Sequence, residues 1–220
     1  MSYFQENFKK EHLLIVGFSS KTGMAVAQFL QKQSIPFSVS DHKDSEVVYQ
    51  NIQKLKITPK NIYAGPQKIN QLKGITRVIV SPGVPRNIPL LVEATRLNIP
   101  VDSEIALSYA FIKDKNPLLI GITGTDGKST TAALTHAFFA EKGKTFLLGN
   151  FGEPFINKVE EIKKEDTVIL ELSSYQLEDG EKYHLQGATI LNLAPDHLNR
   201  YQSMDDYRQA KEKIFINQTG

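Results

Sequence analysis

Short apolar runs rich in β-branched residues, each stopping at a glycine or small polar residue, alternate along this chain with segments whose apolar positions recur at helical spacing. The run His12-Leu13-Leu14-Ile15-Val16-Gly17 predicts a buried strand, and a glycine-bounded loop, Phe18-Ser19-Ser20-Lys21-Thr22-Gly23, leads out of it. Met24, Val26, Ala27, Phe29 and Leu30 then suit a helix over 24–33. Phe37–Ser40 predicts a second strand ending at Asp41, and Arg77–Val80 a later one ending in Ser81-Pro82-Gly83. Helices are expected around Pro89–Leu97 and Ser103–Ile112. The order strand, helix, strand, then helices and strands again, points to a small doubly wound α/β domain.

Lys113-Asp114-Lys115-Asn116-Pro117 is a polar, proline-ended connection, after which the pattern restarts. Strands are expected at Leu118–Thr123, near Thr145–Leu148, at Thr167–Leu172 and at Ala188–Leu193, with helices over Lys128–Lys142 and from Met204 to about Asn217. The expected organisation is a Rossmann-like parallel-sheet domain over 1–112, then an α/β domain of ATPase type over 113–220. No period of about 20 to 50 residues repeats.

Composition narrows the class. The chain has 220 residues, of which 40% are hydrophobic and 23% charged, with 14 Gly and 10 Pro, so a disordered or collagenous chain is excluded. No cysteine is present, which removes disulfides, zinc-thiolate sites and iron–sulfur clusters. No apolar run approaches the roughly 18 residues of a membrane span, so a soluble, cytoplasmic protein without membrane partners is expected. The net charge of +2 hides an asymmetry: 15 basic and 9 acidic residues up to 115 give +6, and 11 and 15 beyond it give −4. The excess of the first half sits on scattered lysines without interleaved aromatics, which disfavours nucleic acid.

The strongest chemical signal is Ile120 to Thr131, I-G-I-T-G-T-D-G-K-S-T-T, a glycine-rich turn between a strand and a helix. Gly124 and Gly127 let backbone amides turn inward on phosphate oxygens, the helix N-terminus adds its positive end, Lys128 neutralises charge, and the Ser129 hydroxyl reaches toward a magnesium ion. A standard Walker motif would need glycine at 122, where Ile122 stands. An ordinary strand-to-helix turn is the plainer alternative, but G-K-S-T with both flanking elements favours nucleotide phosphate. Asp126 inside the loop repels polyphosphate unless it faces outward or meets the metal, and its role stays open.

Glu171 follows Val168-Ile169-Leu170 at a strand end, on the sheet edge that carries the loop, which makes it a candidate magnesium ligand. Ser173 and Ser174 next to it either bind substrate or begin a turn. Asp196, His197 and Arg200 are delivered to that edge by the following strand, and His197 is a candidate for metal or an anionic substrate. On the last helix Tyr207, Ala210, Ile214 and Phe215 share one face, and Lys211 lies on it. Either its stem covers apolar surface while the ammonium reaches water, or burial lowers its pKa and frees a neutral amine.

T-G-T-D-G-K-S-T-T, G-N-F-G, E-L-S-S-Y-Q-L-E, N-L-A-P-D-H-L-N-R-Y and Y-R-Q-A-K-E-K-I-F together resemble the Mur ligases, most closely their D-glutamate-adding branch. The resemblance runs from the first strand to the last helix. It implies an ATP-dependent amide ligase of peptidoglycan precursor synthesis, which activates UDP-N-acetylmuramoyl-L-alanine as an acyl phosphate and joins it to D-glutamate. By the same resemblance Gly124, Thr125, Asp126, Gly127, Lys128, Ser129 and Thr130 hold ATP. Ser129 and Glu171 bind one magnesium; Lys211, as a carbamate, binds a second with His197. Lys128, Glu171, His197 and Lys211 form the catalytic set. Asn150, Ser173 and His197 meet the muramoyl-alanine end, while Phe18, Ser19, Asp41, His42 and Ser81 bind the uridine diphosphate. The family pattern departs here at Asp126, Ala194, Asn199 and His42. The resemblance further implies a monomer and a third domain that has no counterpart in 220 residues, so the chain is expected to be a fragment, inactive alone, with an incomplete central domain. Alternatives are another Mur or folylpolyglutamate-type ligase and a non-catalytic nucleotide-binding module. A dinucleotide oxidoreductase is disfavoured because Gly17 to Gly23 does not spell G-x-G-x-x-G.

Overall fold

A computed structural model describes residues 8–196 and 200–218. The chain divides between residues 107 and 108 into two compact units.

The first unit carries strands β1 (Leu13–Val16), β2 (Phe37–Asp41), β3 (Ile62–Ala64), β4 (Arg77–Val80) and β5 (Val101–Ser103) in one parallel sheet of order β3-β2-β1-β4-β5. All four residues of β1 are buried, as expected for a parallel strand covered on both faces. Helices α1 (Lys21–Lys32), α2 (Ser45–Leu55) and α3 (Pro89–Arg96) connect the strands, and α4 (Glu104–Ile112) runs past the division. Ser20 starts α1 by accepting the Gly23 N–H at 2.9 Å. Leu14, Val16, Val78 and Val80 pack with Leu90, Leu91 and Ala94 of α3 as one core. Strand order reverses between β1 and β4, which opens a crevice beyond their carboxyl ends.

Three elements here escape the hydrophobic pattern. Helix α2 buries Val48 and Ile52 but leaves Val47 and Tyr49 exposed, which blurs its amphipathic stripe. Strands β3 and β5 are three residues each, too short to show alternation.

The second unit holds β6 (Leu118–Thr123), β7 (Thr145–Gly149), β8 (Thr167–Glu171) and β9 (Gly187–Ile190) in a parallel sheet of order β7-β8-β6-β9. Its helices are α5 (Lys128–Ala140), α6 (Ser174–Leu177) and α7 (Met204–Glu212). Ile122, Ala132 and Ile169 form the centre of its core. Register places Ile122 and Gly149 opposite Glu171, and Thr123 opposite Ile190, so the site residues share one edge. The Rossmann-like and phosphate-loop architectures are thus the observed ones.

In this unit the boundaries depart most from the pattern at α7 and β9. Helix α7 gives way at Lys213 to a 3-10 turn, Lys213–Phe215, whose Lys213 Nζ donates to Glu178 O at 2.7 Å. The side chain of Asn217, expected inside the helix, instead donates to the carbonyls of Glu181 and Tyr183 at 3.0 and 2.9 Å. Strand β9 stops at Ile190 rather than Leu193, because beyond it the chain turns its bonding to the loop after β6. No helix among the described residues is long and apolar enough to cross a membrane.

Candidate functional site

In the second unit, β6 delivers Thr123 and Gly124 to the sheet edge, and Gly127, at φ +78°, turns the chain into α5. Ser129 in the first turn of α5 donates its hydroxyl to Glu171 Oε2 at 2.7 Å. The other carboxylate oxygen, Oε1, accepts from Asn150 Nδ2 at 2.8 Å. Glu171 is 1% exposed, and among the described residues no cation pairs with it. A buried carboxylate held only by neutral donors, with a serine hydroxyl from a phosphate loop on one side, is a hard-oxygen set that fits a magnesium ion. Gly149 makes the arrangement possible: it adopts φ +104°, and a Cβ there would lie 2.4 Å from Glu171 O. Asn150 N–H then donates to that carbonyl at 2.9 Å, closing the turn onto the acid.

Two lysines bracket the loop. Lys128 Nζ donates to Thr125 O at 2.6 Å, and Lys211 Nζ donates to Gly124 O at 2.7 Å and to Thr123 Oγ1 at 3.3 Å. Lys211 is 1% exposed and its ammonium lies 4.7 Å from the Tyr207 ring centroid, so it does not reach water. Burial pushes its pKa down to about 8, the positive charge of Lys128 adds to the depression, and Asp196 opposes it. Of the two accounts of this lysine, the buried one describes the structure.

Asp126 and Thr130 are exposed. Ser173 is the N-cap of α6 in a reciprocal capping box with Gln176, so it begins a turn with its hydroxyl engaged. Arg200 grips Glu178 with both oxygens within 3.0 Å and stacks 4.4 Å over Tyr175, away from any free anion role. His197 lies outside the described residues. Residues that the motif reading passed over also converge here. Asn192 bonds to the backbone of Thr125 and Asp126, and Tyr207 OH lies 3.2 Å from Thr125 Oγ1. The clearest advance signal was Asn192's place within N-L-A-P-D-H.

In the first unit a cleft of about 450 Å³ opens at the ends of β1, β2 and β4. Asp41, His42 and Ser81 line it, joined by Ser20, Lys43 and Gln67, which the sequence did not single out. Asp41, 2% exposed, accepts the Ser19 N–H at 2.6 Å and the Lys43 N–H at 3.0 Å, and so braces the glycine loop. Ser81 donates to Gly17 O at 2.9 Å and accepts from Ser20 Oγ at 2.8 Å. Gly17 is at φ +80°, and a Cβ there would meet Val84 at 2.7 Å. Neither Phe18 nor Ser19 lines the cleft: Phe18 is fully buried with its N–H donating to Ser40 O at 3.3 Å, and Ser19 is 8% exposed, its N–H on Asp41 and its buried hydroxyl without a protein partner.

Comparison with known proteins matches residues 11–103 to the Mur ligase MurD-like N-terminal domain and residues 122–220 to the Mur ligase middle domain. The chain belongs to the Mur ligase family. Among its relatives, the UDP-N-acetylmuramoylalanine--D-glutamate ligase of Alkaliphilus metalliredigens is 35% identical, over 96% of this chain and 46% of the relative. Those of Clostridioides difficile and Geotalea uraniireducens are 36% and 39% identical, over 97% and 94% of this chain and 47% and 45% of theirs. The chain therefore spans about half the length of the curated relatives it matches. Solved Mur ligases share the fold. The UDP-N-acetylmuramate-alanine ligase of Thermotoga maritima has a TM-score of 0.56 at 24% identity, over 94% of this chain and 47% of its own. The UDP-N-acetylmuramate:L-alanyl-gamma-D-glutamyl-meso-diaminopimelate ligase of Neisseria meningitides has 0.60 at 17%, over 95% and 68%.

Proposed function

We propose that the chain serves the ATP-dependent addition of D-glutamate to UDP-N-acetylmuramoyl-L-alanine in peptidoglycan precursor synthesis. The observation that carries this reading is the buried Glu171 carboxylate facing Ser129 at the head of the phosphate loop, with Lys128 and the buried Lys211 on either side. The two Mur ligase domains and the names of the relatives support it.

Forming an amide from a carboxylate requires an activated acyl group. A substrate carboxylate oxygen attacks the γ-phosphorus of ATP, the bond to ADP breaks, and an acyl phosphate results. The D-glutamate amine attacks the acyl carbon, and the tetrahedral adduct expels phosphate and loses the amine proton. Gly124 to Thr130 cradle the nucleotide phosphates, with Lys128 exchanging its bond to Thr125 O for phosphate oxygen. Ser129 and Glu171 hold one magnesium ion, and Lys211 with His197 a second. Magnesium supplies charge that neutralises the crowded phosphate and acyl oxygens. For the second site the neutral Lys211 amine attacks carbon dioxide, losing a proton to give a carbamate, and its lowered pKa favours that amine. Asn150 and His197 meet the muramoyl-alanine end, while Ser173 caps α6. The first-unit cleft takes the uridine diphosphate through Asp41, His42 and Ser81, with Phe18 and Ser19 supporting the glycine loop behind them. No residue acts as a covalent nucleophile on the substrate, and the protein works as a cytoplasmic monomer.

Titration calorimetry of the folded chain with UDP-N-acetylmuramoyl-L-alanine is expected to give heat, and none would remove the first-unit site. Protein extended to the length of the relatives is expected to release phosphate from ATP only when both the muramoyl substrate and D-glutamate are present; release that ignores D-glutamate overturns the amino-acid assignment.

A further inference from the structure

The phosphate loop is held from outside by one side chain that no motif assigned. Asn192 follows β9, and its Oδ1 accepts the N–H of Thr125 at 3.0 Å and the N–H of Asp126 at 2.9 Å. Its Nδ2 donates back to Asp126 O at 3.0 Å. The orientation of the amide is set by these partners, since a flip would place donor against donor and acceptor against acceptor. Backbone bonding leads up to the same point: Leu191 N–H donates to Thr123 O at 2.9 Å and Thr125 N–H to Asn192 O at 3.2 Å. Past the last β6–β9 pair the Asn192 carboxamide, which carries one acceptor and one donor like a peptide group, prolongs the bonding of the two chains. Ala194 completes the hold, its N–H donating to Thr125 Oγ1 at 2.9 Å.

The consequence concerns which amides are spent. Thr125 and Asp126 turn their N–H groups toward Asn192, whereas the amides of the first turn of α5, Lys128 to Thr130, have no acceptor within the helix and stay available to an anion. Asn192 is itself exposed and adds nothing to the core. Three bonds from an exposed side chain to one short loop are a fastening of that loop, not part of the packing.

We propose that Asn192 is a positioning residue that fixes the first half of the phosphate loop, so that the second half presents its amides to a nucleotide polyphosphate. This rests on the reading of the loop as the ATP site.

The test uses the chain as it stands, with Asn192→Ala and Asn192→Asp, and has two readouts. Amide hydrogen exchange by NMR follows Thr125 and Asp126 against core amides of Ile169 and Leu170; titration with magnesium-ATP follows affinity. Asn192→Ala is expected to speed exchange at Thr125 and Asp126 alone, leave the melting temperature nearly unchanged, and weaken magnesium-ATP about tenfold through loss of preorganisation. Asn192→Asp retains the acceptor oxygen and is expected to restore slow exchange at both amides, while its negative charge keeps nucleotide affinity low. Unchanged exchange and affinity in Asn192→Ala would overturn the proposal, as would acceleration of the core amides by an equal factor in both variants. If unsubstituted chain shows slow exchange at Thr125 and Asp126 yet binds neither magnesium-ATP nor magnesium tripolyphosphate, the ATP reading fails, and with it the positioning role toward a nucleotide.

Discussion

Lys211 shows how a single residue departs from its class. The unfolded chain restores the ordinary lysine pKa of 10.5 while burial holds the native value near about 8, so between those limits the native state binds fewer protons than the unfolded one. Stability therefore rises as pH rises through that window, and the full cost of the buried ammonium is felt below it. The chain is expected to gain about 2 kcal/mol between about pH 7.5 and about pH 9.5 relative to Lys211→Met, which keeps the volume without the charge. Urea melts at the two pH values read the difference, and equal slopes would contradict it. Ser129→Ala should leave those melts alone but weaken ATP about tenfold in the presence of magnesium and much less in its absence, as a titration with and without the ion would report. Ser129, Glu171 and Lys211 were legible because local spacing marks a loop, a strand end and a helix face. Asn192 and Ser20 were not, because each gains its role from a partner distant in sequence, Thr125 and Ser81, and Gln67 was not, because only the fold brings it to the cleft.

At the scale of elements, the turn after β7 governs the acid at the end of β8. Gly149→Ala would drive a methyl group into Glu171 O and force a residue into positive φ, so a loss of about 3 kcal/mol is expected, with weaker magnesium-dependent ATP binding. Thermal melts and nucleotide titration check both, and an unperturbed Glu171 would argue against the coupling. The sheet of the first unit is tied at its other end. Arg77 opens β4 and bonds Glu11 at 2.7 Å and also Asp102 on β5, with Phe8 under its guanidinium. Arg77→Ala removes the cation shared by two part-buried carboxylates and is expected to cost about 2 to 3 kcal/mol by urea melts, whereas Arg96→Ala, at a solvent-exposed pair with Glu93, should leave the melt nearly unchanged. The largely buried strands β1, β4 and β6 were readable from continuous apolar runs. The three-residue strands and α2 were not, because edge positions and tertiary cover, rather than their own composition, make them regular.

Across the molecule, each unit has its own parallel sheet and its own core. Residues 8–112 produced alone are accordingly expected to melt cooperatively and to bind UDP as the longer chain does, measured by circular dichroism and calorimetry. The parallel topology carries a further consequence for synthesis. Antiparallel partners meet across a short turn, but every pairing here waits for a crossover. The strand before the phosphate loop waits longest: Leu118 pairs with Thr167, Ile120 with Gly187, and the loop itself with Asn192. On the ribosome the first sheet has all its strands once Ser103 has emerged, whereas the nucleotide-binding strand stays unpaired until Thr167 to Glu171 have emerged. Its apolar run, Leu118 to Ile122, is the segment that a nascent chain must keep from other chains, and the last piece of the loop to acquire shape is the one that Asn192 delivers.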